Sequence, residues 1–176
     1  MIAASEIKSR FRRRLQAADL RKDTLRQKLI EEGTRALEPV IGVLAVMAEV
    51  LDEEGNAHGR IDGLAIEVDD EDLVCLHPVL HSEAGPEHKL TIKYGPVLGG
   101  SNFLSVSGLG SKHAEMLFPT PTNAISSLGR SVGNDLLLDE DRAGALADTL
   151  RDLVEEFYAG QAEPQPVHHL RLVQSA

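Results

Sequence analysis

Over the first thirty positions of the chain, hydrophobic residues recur every three or four places. Phe11, Leu15, Ala18, Leu25 and Leu29 fall on one stripe at about 100° per residue, with Lys22 in the one seam position that breaks it. No Pro or Gly interrupts Ala4 to Glu32, Ser5 suits the N-cap, and Gly33 stands where a C′ glycine belongs. A long amphipathic helix is expected there. Pro39 suits the first residue of a second helix running to about Glu54.

After Gly55 and Gly59 the period shortens. "GLAIEV" and "LVCLHPVL" flank the acidic turn "DDED", Asp69 to Asp72, which reads as a solvated hairpin tip. In "KLTIKYGPVL" and "FLSVSGL" apolar and polar residues alternate as in half-buried strands. "SKHAEMLF" fits either a fifth strand or a short helix, and "AISSLGRSV" a weaker helix. The closing helix carries the clearest face: Ala143, Leu146, Ala147, Leu150, Leu153, Val154 and Phe157, with Asp139 or Asp141 as cap and Gly160 as stop. "QAEPQP" then has linker chemistry, and "VHHLRLV" reads as a short strand able to add to a sheet edge.

These elements predict an α+β fold. An antiparallel sheet of about four or five strands is packed by helices, preceded by a long N-terminal amphipathic helix and followed by an extended tail. The expected divisions are a basic helical arm over 1–34, a core domain over 35–160 and a tail over 161–176.

Composition narrows the class. A hydrophobic share of 42% and a charged share of 26% are those of a folded globular domain, and with 3% aromatics and no Trp the core must be aliphatic. The single cysteine, Cys75, cannot close an internal disulfide. "MIAASEIKSR" lacks an apolar signal region, and the greasy run Pro39 to Leu51 is too short to span a bilayer and carries Glu49. A cytoplasmic, soluble protein is expected.

Charge changes the picture more. Residues 1–28 hold nine bases against three acids, a net of +6, while 29–176 hold nine against 25, a net of −16. Arg10, Arg14, Arg21 and Lys28 form a ridge beside the apolar stripe; Arg12, Arg13 and Arg26 lie elsewhere on the helix. Three partners suit such a helix. Nucleic-acid phosphates fit the ridge but would be gripped without base reading, and too few aromatics exist to stack single strands. A membrane surface fits worst, because the apolar face is narrow and interrupted by Lys22. A protein partner or a second copy fits best: the stripe Phe11, Leu15, Ala18, Leu25 and Leu29 needs a cover, and the ridge suits an acidic neighbour.

Catalytic patterns are scarce. Cys75 and His77 lie about 7 Å apart on one strand face, within reach of a shared zinc, and His81 and His88 would join only if the chain bends back. A buried cysteine with surface histidines is the plainer reading. A calcium loop begun at Asp52 puts Ala57 where glycine is needed and Gly63 where the bidentate glutamate belongs. "GLGSKH" matches neither a dinucleotide fingerprint nor a P-loop, and no serine occupies a G-x-S-x-G elbow. The sequence therefore points to a non-enzymatic assembly or adaptor protein without a cofactor. Nucleic-acid association through the same helix is the alternative, and a metal-dependent enzyme the second.

Overall fold

In a computed structural model, residues 4–96, 102–117, 130–132 and 135–162 are described. The chain opens with one continuous helix, α1 (Ala4–Glu53). Strands β1 (Gly59–Asp62), β2 (Glu67–Val68), β3 (Val74–Leu76), β4 (Val79–Ser82), β5 (His88–Lys89), β6 (Thr91–Pro96) and β7 (Asn102–Ser107) follow, then helix α2 (Gly110–Leu117). Strands β8 (Arg130–Val132) and β9 (Asp135–Asp139) lead through a 3₁₀ turn, Glu140–Arg142, into α3 (Ala143–Ala162).

The α+β class, the antiparallel pairing and the long N-terminal helix are as the sequence led one to expect. The strands divide into two sheets, ordered β1-β4-β5 and β2-β3-β6-β7-β9-β8. β6 and β7 pair from Thr91↔Ser107 to Pro96↔Asn102, and β9 adds to β7 from Phe103↔Asp139 to Val106↔Leu136. Six inward positions of this larger sheet, Val74, Leu76, Ile92, Leu104, Val106 and Leu138, are each at most 1% exposed. Against them pack Leu37, Val40 and Leu44 of α1 and Leu146, Leu150 and Val154 of α3 in one aliphatic core.

Two expected boundaries are corrected. Gly33 does not end a helix: a Cβ built there would lie 2.5 Å from Cγ1 of Val74, so glycine lets the helix backbone press against β3. Pro39 does not start one either, although its missing N–H leaves the Arg35 carbonyl without the usual i→i−4 donor. Burial of Leu37, Val40 and Leu44, each 0% exposed, holds the helix together across that defect. Local signals lost to tertiary packing at both positions.

Smaller differences follow the same logic. "SKHAEMLF" folds as helix α2, burying His113 and Leu117. Of the helix expected over "AISSLGRSV", Arg130–Val132 is instead strand β8, and 118–129 lie outside the described residues. Asp139 is the residue that caps the turn into α3, accepting from the Asp141 N–H at 3.2 Å, and α3 runs through Gly160 to Ala162. Of the tail expected over 161–176, Gln161 and Ala162 belong to α3 instead, and 163–176 lie outside the described residues.

Candidate functional site

From Ser5 to Lys28, every residue of α1 is exposed; packing against the domain begins at Leu29 and Ile30. At 1.5 Å per residue this exposed stretch is about 36 Å long. Good helix formers, chiefly Arg, Lys, Leu, Gln and Ala, let it remain helical without a core beneath it. The stripe is bare: Phe11 is 62% exposed, Leu15 50% and Leu25 58%, with Ile7 and Leu20 also exposed. Ala18 is exposed as well, while Leu29 is partly buried against the core.

Arg10, Arg12, Arg13, Arg14 and Arg21 are all exposed, and no ion pair is seen at any of them among the described residues. Lys28 sits 3.8 Å from Glu32 one turn on. Arg26 faces the domain, and its guanidinium donates to the Val68 carbonyl at 3.1 Å. That bond ties the root of the arm to β2.

Continuing the alternation of three and four past Leu29 leads through Glu32, Ala36, Pro39 and Val43 to Val46 and Val50. A seven-residue repeat winds about 20° per heptad on a straight helix, so the stripe drifts off the core face. Val46 and Val50 are accordingly 60% and 52% exposed, while the nearby Leu44 is fully buried. With Met47, Leu51, Val154, Glu155 and Tyr158 they line a groove of about 350 Å³ between α1 and α3. In the sequence Pro39 masks this continuation; the signal for it is the three-four spacing that resumes beyond Lys22 and Glu32 with Ala36, Val43, Val46 and Val50.

Of the four residues considered for a metal, Cys75 lies in the larger sheet, His81 and His88 in the smaller, and His77 in neither. Cys75 is buried on β3 and His77 is exposed just beyond it, 3.5 Å from the Thr91 hydroxyl. His81 stands between Asp62 and Glu87 at 2.9 and 2.8 Å, and His88 contacts the Gly108 carbonyl at 2.7 Å. No group of three or more His, Cys, Asp or Glu able to hold a metal occurs among the described residues. No described helix is long and apolar enough to cross a membrane.

Cys75 belongs instead to a small polar knot around Asp69, which organises the "DDED" turn. One Asp69 oxygen accepts from the Glu71 and Leu73 N–H groups at 3.0 and 2.9 Å; the other accepts from the Lys93 ammonium at 3.0 Å and the Cys75 thiol at 3.4 Å. Burial, then the hydrogen bond to Asp69, pushes the Cys75 thiol up to about 11. Partial burial works to raise the Asp69 carboxyl, but the Leu73 N–H, Lys93, Cys75 and the Glu71 N–H together outweigh it and bring the group from 3.8 down to about 2. A depressed folded pKa contributes stability above the unfolded value, lost as pH falls through the folded one. Acid unfolding is therefore expected to steepen between about pH 4 and pH 2, and Asp69→Asn should flatten that segment of a stability–pH curve.

No protein family, curated protein or solved structure matches this chain. The functional reading therefore rests on the arm and the groove themselves.

Proposed function

We propose that this chain is a non-enzymatic assembly protein whose basic N-terminal helix docks onto a protein partner. One observation carries the reading: about 36 Å of amphipathic helix stands clear of the core with its apolar stripe uncovered. Each large side chain on that stripe gains roughly 1.5–3 kcal/mol if fully buried, a sum that only partly converts to affinity because docking also costs freedom. The ridge of Arg10, Arg14 and Arg21 beside the stripe selects an acidic partner and speeds encounter.

Replacing Phe11, Leu15 and Leu25 together by serine in the full chain tests this. Helix content by circular dichroism should change little, since none of the three supports the core, while self-association or partner affinity should weaken by about tenfold or more. Unchanged association would end the proposal.

The exposed arginines support a second reading, contact with nucleic-acid phosphates. Titration with generic duplex DNA at low and near-physiological salt separates the two. Binding that falls steeply with salt and is lost on reversing Arg10, Arg14 and Arg21 to Glu would favour phosphate contact.

A further inference from the structure

We infer that the partner of the arm is a second copy of this chain, laid antiparallel so that each arm fills the groove between α1 and α3 of the other. The inference rests on the assembly reading and names its occupant. Both ends of one heptad stripe are uncovered, Phe11 and Leu15 at one end and Val46 and Val50 at the other. A twofold axis passing beside α1 near residue 30 brings one end against the other. Phe11 then faces the partner's Val50, Leu15 the partner's Val46, and Ala18 the partner's Val43. The groove is apolar along its α1 side and large enough, at about 350 Å³, for such side chains to enter.

Charge supports the same register. One layer further along the seam Lys8 falls opposite the partner's Glu53, and beside the layers Arg14 falls opposite the partner's Glu49; all four residues are exposed in the single chain. Glu155 lines the groove itself. The +6 arm thus lies on the acidic part of the neighbour, and both halves of the charge split are used. A parallel pairing of two arms would instead place Lys8 against Lys8 and Lys22 against Lys22 in the seam.

Cysteine cross-linking of the full chain tests the arrangement. In the antiparallel dimer position 15 meets position 46 of the other copy, whereas the two positions 15 are about 45 Å apart. Cys75 does not compete, being buried with its thiol near 11. Under mild oxidation, Leu15→Cys/Val46→Cys should give a disulfide-linked dimer and either single variant should not. By sedimentation, Val50→Asp should raise the dimer dissociation constant by about tenfold or more.

Cross-linking by Leu15→Cys alone would overturn the inference in favour of parallel arms, leaving the assembly reading standing. A monomer at all concentrations would also overturn it. A Val46→Cys thiol shielded from maleimide in that monomer would give the groove to residues 163–176 of the same chain; a reactive one would leave the arm to a different protein. Failure of the assembly reading is a separate result, association unaffected by the triple serine variant.

Discussion

Replacing Pro39 with alanine is expected to stabilise the protein by about 2 kcal/mol. Proline in a helix interior is about 3 kcal/mol worse than alanine, because it removes one backbone hydrogen bond and its ring crowds the carbonyl one turn earlier. Here that carbonyl belongs to Arg35, in the middle of a helix running without a break from Ala4 to Glu53. Part of the gain is cancelled, since proline also restricts the unfolded chain, an effect worth roughly 0.4–1 kcal/mol. Little packing is lost, because Pro39 is exposed while its neighbours Leu37 and Val40 carry the burial. The measurement is a urea unfolding curve, where the midpoint should rise at unchanged slope. If Pro39 instead opened a separate helix, its ring would already suit the backbone. Alanine would then be neutral or mildly destabilising, and the continuous α1 would be wrong.

Pro39 also shows where sequence reading stops. Its preference for a helix start is a local rule, and so is Gly33's for a helix end; the two together suggested a break over 33–39. What overrides them is Val74, 41 positions further on, and a core row of Leu37, Val40 and Leu44 whose burial exceeds the cost of one proline. No local window contains that information. By contrast α3 was legible because its apolar face is complete within twenty residues, and β6 and β7 because six residues of alternation suffice. Strands of two to five residues such as β2, β5 and β9 carry too little pattern of their own, and their partners define them.

The candidate site divides along the same line. The stripe from Phe11 to Leu29 and the arginine ridge are properties of one helix, so spacing alone displays them. The groove is not, because Val46 and Val50 become a surface only when α3 brings Val154 and Tyr158 alongside. Cys75 and His77 share a strand in sequence, yet the thiol points to Asp69 and the imidazole lies beside Thr91. Spacing placed them near each other; the hydrogen bonds decide what each does.

Gly33→Ala is expected to destabilise the protein by about 1–2 kcal/mol, although alanine is the better helix former by about 1 kcal/mol. The added methyl would lie 2.5, 2.6 and 2.7 Å from Cγ1, Cγ2 and Cβ of Val74, so the whole valine side chain stands in its way. Val74 is 1% exposed on a strand paired on both sides, and because the methyl would meet its Cβ as well as both γ carbons, turning the side chain about χ1 cannot clear the contact. Overpacking of this kind costs roughly 1–3 kcal/mol, and contact with all three side-chain carbons places it toward the upper end. Trimming the obstacle should recover part of the loss: in a double-mutant cycle, Gly33→Ala with Val74→Ala should be less destabilising than the two single changes added together. Simple additivity would mean that α1 and β3 do not touch at this point. The contact matters beyond stability, because Gly33 lies one turn beyond Leu29, where α1 passes from the exposed arm to the packed half. Together with the bond from Arg26 to Val68, it sets the direction in which the arm leaves the domain. A methyl group there should therefore also weaken assembly, even under conditions where the domain remains folded.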